Sequence, residues 1–344
     1  RENMEKIDIL SLTFEELSEK ILEMGEKKFR AKQIFDWLHI KKVADFEQMS
    51  NLSAQFRGEL SEKFCIKRLK IKKRLVSGID NTVKYLYGLS DGEAVESVLM
   101  DYKHGAALCV STQVGCKMGC KFCASTLAGW VRNLEPSEML GQMYESERDS
   151  GKSLDSIVLM GIGEPLDNFD NVMKFLKILE ESGFSLRRVS LSTCGVVDKI
   201  YELAKLKLGV TLSVSLHAAT NEKRSEIMPI NKKYPLKTLM KACDDYFAAT
   251  GRRISFEYSL IEGVNDGEGS AKELVALLGG KNCHINLIPI NEVRERGFRK
   301  SPYVERFQRL LTNAGMNATV RRTLGADINA ACGQLRRDDK GEKE

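Results

Sequence analysis

Over the first 75 residues, apolar positions recur three and four apart. Leu12, Phe14, Leu17, Ile21 and Leu22 predict one helix, Phe29, Ile34, Phe35 and Leu38 a second, and Phe56, Leu60 and Phe64 a third. The period then shortens to two. Val83–Tyr87 and Val95–Leu99 alternate as strands on either side of Ser90-Asp91-Gly92-Glu93, which is a hairpin signal. From about residue 106, short apolar runs alternate with helical stretches. Strands are predicted over 107–111, 157–160, 189–192, 212–216, 254–260 and 285–289, and helices over about 136–149, 170–182, 198–206, 235–249, 270–279 and 302–314. A last strand, 318–322, precedes a polar tail. This alternation predicts an α/β fold with a parallel sheet, and six repeats suit a partial barrel better than a closed eightfold one. The expected organisation is a helical region 1–75, a β-hairpin linker 76–105, a partial (β/α)6 barrel 106–335 and a tail 336–344. No low-complexity linker separates the parts, so they are expected to pack together.

Composition narrows the class. No run of about 18 apolar residues exists, so no membrane span is expected. The first residues carry no apolar secretory segment, and a cytoplasmic location is expected. The net charge of +5 is modest but uneven. Between Lys63 and Arg74 there are seven Lys or Arg and no acid, and bases again outnumber acids between Arg294 and Arg322. Clustered bases suit a polyanion such as RNA, although a charge run alone is more often a solvated face.

The nine cysteines change the picture most. Four fall between positions 109 and 123, and such clustering outside a secreted framework points to metal or catalysis. Cys116, Cys120 and Cys123 are spaced C-x3-C-x2-C, with Phe122 before the last. Three thiolates on one loop can hold three irons of a [4Fe–4S] cluster and leave the fourth open to a substrate, whereas ferredoxin clusters use four thiolates. Structural zinc wants a closed set of four ligands. Cys109 is a candidate fourth, but the nearest downstream histidine is His217. The cluster is the better reading. The loop follows a predicted strand directly, which puts it at the C-terminal rim of the barrel, where active sites sit.

This spacing with its aromatic resembles the radical S-adenosylmethionine superfamily. Gly161-Ile162-Gly163-Glu164-Pro165, after the second barrel strand, is similar to the superfamily's element that meets the methionine amino group. Ser192, Ser215-Leu216-His217 and Asn291 also end predicted strands. Singly they read as turn residues or, for His217, a core histidine. Together, aimed at one rim, they read as cofactor contacts with Gly163 and Glu164. The segment from Arg321-Arg322 through Asp327 to Cys332-Gly333-Gln334-Leu335 resembles one narrow branch, the RlmN-type RNA methyltransferases, and the likeness runs along nearly the whole chain. It includes Arg187-Arg188 with the following strand, Ser215 to Ala218 and Met228 to Asn231. The N-terminal helices resemble that branch's accessory RNA-binding domain.

The resemblance implies methylation of adenine C2 in 23S ribosomal RNA and in tRNA. C2 lies between two ring nitrogens and is no nucleophile, so polar transfer would fail. The implied route uses two S-adenosylmethionine molecules per turnover. Cys332 takes a methyl group from the first, as a thiolate can. The second yields a 5′-deoxyadenosyl radical that removes a hydrogen from that methyl, and the carbon adds to C2. Glu96 matches the branch's proton acceptor, although alone it reads as an outward-facing strand carboxylate. Cys109 matches the resolving cysteine, which releases the product by forming a transient disulfide with Cys332. Alone it reads as a small buried strand residue, as do Cys65, Cys194, Cys243 and Cys283. A flavodoxin- or ferredoxin-type electron donor and a monomeric state are also implied. The rivals are the sister family that methylates adenine C8, disfavoured by Pro165 and the Arg321-Arg322 pair, and a non-catalytic zinc RNA-binding module. Glu292, where Pro often follows the Asn, departs from the commonest C2 pattern.

Overall fold

The computed structural model describes residues 6–290 and 296–330. Asn291 and Cys332 therefore lie outside the described residues.

Three helices come first: α1 (Phe14–Glu23), α2 (Lys28–Phe35) and α3 (Ala54–Lys63). Thr13 and Glu16 open α1 with a reciprocal capping box: the Thr13 hydroxyl accepts from the Glu16 N–H, and the Glu16 carboxylate accepts from the Thr13 N–H. Leu17, Ile21, Ile34, Phe35, Phe56 and Leu60 are buried in a core continuous with that of the barrel. His39, just after α2, reaches the Tyr144 hydroxyl at 2.9 Å, on the barrel helix α4 (Pro136–Ser150).

The rest is one ten-stranded sheet whose spatial order is its chain order. Its strands are β1 (Lys70–Val76), β2 (Val83–Gly88), β3 (Ala94–Tyr102), β4 (Gly105–Cys109), β5 (Leu154–Leu159), β6 (Val189–Thr193), β7 (Thr211–Ser215), β8 (Ile254–Leu260), β9 (Cys283–Pro289) and β10 (Ala318–Val320). β1 to β4 pair antiparallel and β4 to β10 parallel. The parallel crossovers carry α4, α5 (Phe169–Glu181), α6 (Val197–Leu206), α7 (Asn221–Ile227), α8 (Leu236–Thr250), α9 (Glu268–Leu278) and α10 (Val304–Asn313). Apolar residues such as Leu191, Leu212, Val214, Phe256 and Leu287 are fully or almost fully buried in the main core. The alternate residues Ser192, Ser215, Glu257 and Ser259 line a cavity at the sheet's other face. Period-two alternation thus sorts core from site on each strand.

One expectation needs correction. The helical reading to residue 75 stops at Lys63, and Lys70–Val76 is a strand at the sheet edge. Six of its seven residues are exposed, so no buried face imprints a period on its sequence. Its Lys and Arg guard the edge against stray pairing.

Candidate active site

After β4 the chain runs through Ser111 and Thr112 into a two-stranded ribbon, 113–115 against 130–133, which brackets the cysteine loop. Ser111 is pinned from three sides. Its hydroxyl donates to the Glu96 carbonyl at 2.6 Å, and its N–H donates to the Gln142 side-chain oxygen at 2.8 Å. The Ile162 N–H donates to its hydroxyl at 2.9 Å. Cys116, Cys120 and Cys123 all line one cavity of about 220 Å³. Burial pushes the Cys116 thiol up to about 12 and raises that of Cys120 too. A thiol coordinated to a metal would instead be deprotonated outright. Among the described residues no three such side chains converge on a single metal ion. The three thiols that share this cavity would each hold one iron of a cluster.

The turn after β5 needs its glycines. A Cβ on Gly161 would lie 2.6 Å from the Ser111 nitrogen. Gly163 has φ +110°, and a Cβ there would lie 2.6 Å from the Gln113 Cβ. This lets Glu164 enter the cavity wall. One of its oxygens accepts from the Cys194 N–H at 2.7 Å and the other from the Leu166 N–H at 3.0 Å. Burial raises its carboxyl above the ordinary value, and these bonds oppose the rise. Each oxygen retains acceptor capacity for an ammonium.

Ser192, Ser215 and His217 line the same cavity, as expected. His217 is buried, and burial pushes its imidazole down to about 3. Its Nδ1 accepts from the Ser259 N–H at 2.9 Å, which assigns the proton to Nε2. Phe122 packs edge-on against its ring at 4.8 Å, which gives the aromatic of the cysteine motif a physical purpose. Leu216 is buried beside the cavity without lining it. Its carbonyl is held by Arg224, a residue that sequence reasoning missed. Arg224 is completely buried. It also donates to the carbonyls of Cys194 at 2.7 Å and Ser215 at 3.1 Å and to the Asn231 side chain at 3.0 Å. It thus ties the ends of β6 and β7 together and explains the Met228-Pro-Ile-Asn231 element. The one available signal was that element itself, since an arginine on a seven-residue helix reads as solvated.

Glu96 and Cys109 lie on an adjoining surface. Val98 stands opposite both Lys84 and Cys109 in the sheet, so the three form a row on one face. Glu96 is not outward-facing. It is 1 % exposed and ion-paired at 3.0 Å with Lys84, which is also 1 % exposed. The C-terminal segment folds across the neighbouring part of this face. Ala330 packs in one cluster with Cys109, Val98 and Met100, and the Lys84 ammonium donates to the Asn329 carbonyl at 2.9 Å. Asp327 anchors the segment by accepting from the Ser77 hydroxyl at 2.7 Å and the Gly78 N–H at 2.8 Å. Met160 joins the two regions, lining the cavity and packing on the Cys109 cluster.

Comparison with known proteins agrees with this geometry. Residues 7–66 match the family described as ribosomal RNA large subunit methyltransferase N-terminal domain, and residues 110–275 match the radical SAM superfamily. The chain is 50 % identical to a probable dual-specificity RNA methyltransferase RlmN of Lachnoclostridium phytofermentans, covering 97 % of this chain and 95 % of that one. It is 53 % identical to another so named from a Thermoanaerobacter species, covering 96 % and 98 %. The chain belongs to the RlmN family. A crystal structure of a radical SAM methyltransferase from Sphaerobacter thermophilus superposes with a TM-score of 0.91 at 40 % identity, over 95 % of this chain and 98 % of that one. Membership in the RlmN family makes the chain a radical enzyme and implies an iron–sulfur cluster and S-adenosylmethionine. Among the described residues no helix is long and apolar enough to cross a membrane.

Proposed function

We propose that this chain methylates C2 of adenosine in 23S ribosomal RNA, at the peptidyl-transferase centre, and in tRNA, at the adenosine 3′ of the anticodon. The observation that carries the reading is the convergence of Glu96, Cys109 and the segment leading to residue 332 beside the cavity lined by three cysteines.

Cys116, Cys120 and Cys123 would hold a [4Fe–4S] cluster, which with S-adenosylmethionine supplies the radical that activates the methyl group. Gly163, Glu164, Ser192, Ser215, His217 and Asn291 would bind the methionine and ribose portions, with Leu216 contributing backbone. Cys332 carries the methyl carbon to adenine C2. Glu96 then accepts the C2 proton while the adduct radical gives up its unpaired electron to a one-electron acceptor, which restores a closed-shell ring. Cys109 attacks the Cys332 sulfur; the carbon–sulfur electron pair leaves with the carbon, which is protonated to methyl, and a disulfide remains for reductant to open. The substrate base must leave its stack, which is least costly in a folded RNA loop. The N-terminal helices, the basic run 63–74 and Arg187, Arg188, Arg321 and Arg322 suit recognition of RNA shape and phosphate. A cytoplasmic monomer served by a flavodoxin- or ferredoxin-type donor completes the reading.

The test is anaerobic reconstitution with S-adenosylmethionine and RNA, followed by nucleoside mass spectrometry. The expected product is 2-methyladenosine, and methyl at C8 alone would overturn the proposal. Cys332→Ala is expected to form no methylcysteine and no product, and Cys109→Ala to trap a covalent protein–RNA adduct. A colourless protein holding zinc and leaving RNA unmodified would instead mark a binding module.

A further inference from the structure

Lys84 is the most costly residue in the sheet to explain by stability. It is a fully buried ammonium on β2, diagonal to Glu96 on β3, and long side chains can bridge that diagonal. Burying two charges costs several kcal/mol per ion, and an apolar pair of similar volume often gives equal or greater stability. Leu75, Leu86, Val98, Met100 and Ala107 stand around it on its face of the sheet. A methionine or leucine at 84 would fit that company. What such a residue could not do is contact two particular partners at once. One donor of Lys84 meets the Glu96 carboxylate at 3.0 Å, and another meets the Asn329 carbonyl at 2.9 Å.

We propose that Lys84 is a positioning residue for the methyl-transfer reaction, holding the Glu96 carboxylate in place and tying it to the C-terminal segment through the Asn329 carbonyl. The proposal rests on the assignment of Glu96 as proton acceptor. The Lys84 ammonium fixes the orientation of the Glu96 carboxylate by direct contact and, having no lone pair of its own, cannot itself take the C2 proton. The contact with the Asn329 carbonyl fixes the acceptor relative to the segment that leads toward residue 332. Glu96 and Asn329 lie more than 200 residues apart in the chain, and the Lys84 side chain contacts both.

The experiment uses the reconstituted enzyme with S-adenosylmethionine and substrate RNA. Methylcysteine at 332 is read by peptide mass spectrometry and the protein–RNA adduct on a denaturing gel. Lys84→Met is expected to retain Cys332 methylation but to accumulate adduct, with product formation down about 100-fold, the low end of what a positioned general base contributes. Lys84→Arg, which keeps the charge, is expected to recover most of that loss. Ethylamine is expected to restore turnover to Lys84→Ala where ethanol does not, a response that a purely structural role would not give. In the Glu96→Gln background, Lys84→Met should add no further loss, because the two act as a unit. Normal turnover by Lys84→Met, or a loss fully additive to that of Glu96→Gln, overturns the proposal. Normal turnover by Glu96→Gln instead overturns the acceptor assignment beneath it. Should Lys84→Met not fold, Lys84→Gln, which keeps a donor for Asn329 but no charge, carries the same test.

Discussion

Replacing Arg224 by Met should destabilise the barrel more than any surface change, although Arg224 itself does not line the cavity. The methionine stem fills part of the same space but donates nothing. Three backbone carbonyls, those of Cys194, Ser215 and Leu216, lose the guanidinium, as does the Asn231 side chain. A buried polar group left without its partner costs about 1–3 kcal/mol, so the three carbonyls alone sum to several. Against this stands the relief of no longer burying a cation, visible in the downward shift that burial imposes on Arg224. The net is about 3–5 kcal/mol, the range found when one side of a buried charged network is removed. At roughly 2–4 °C per kcal/mol for a large domain, the apo-protein melting temperature should fall by about 10 °C. Arg224→Lys keeps the charge but not the fork and should lose about half as much. Anaerobic thermal melts followed by circular dichroism give the number. A second effect follows through Cys194, whose N–H orients Glu164: both variants should bind S-adenosylmethionine more weakly. A melting temperature within about 2 °C of wild type for Arg224→Met would refute the reasoning.

Other expectations are more local. Gly163→Ala combines a left-handed backbone with a clash on Gln113 and should cost about 2 kcal/mol, weakening S-adenosylmethionine binding in equilibrium dialysis. Changing any one of Cys116, Cys120 and Cys123 to Ala should take bound iron from about four per chain to near zero, with loss of the brown colour, by iron assay and absorbance. Buried His39 stays neutral in the folded chain down to about 3, whereas the unfolded chain protonates it below about 6.5. The unfolded state then binds more protons, so stability is lost as pH falls through that window, at up to about 1.4 kcal/mol per pH unit. His39→Phe should remove that share of the slope in urea unfolding at pH 7, 6 and 5.

Where one face of an element is buried, the sequence was readable. The helices 136–150, 197–206 and 236–250 and the strand 254–260 lie within a residue or two of where their periodicity puts them. The edge strand Lys70–Val76 escaped because nearly all of it is solvated and carries no period. The cysteine loop and the Gly161–Pro165 turn were legible because their chemistry is local: spacing and glycine are written in consecutive residues. Glu96 was misjudged in its surroundings. Its neighbours along the strand give no hint that it is buried against Lys84. Lys84 and Arg224 went unnoticed for a related reason. A lone cation on a strand or short helix reads as surface, and only the assembled fold supplies the carboxylate and carbonyls that make it interior.

The sheet whose spatial order is its chain order also has a history in time. Each strand pairs with its predecessor as soon as it leaves the ribosome, so most of the barrel can assemble while synthesis continues. The hydrogen bonds of Asp327 to Ser77 and Gly78 are different, spanning about 250 residues. They can form only once residue 327 has left the exit tunnel, when all ten strands of the sheet are already outside. The cavity at the strand ends can therefore take shape on a nascent chain before the segment around Asp327 docks across the first strands.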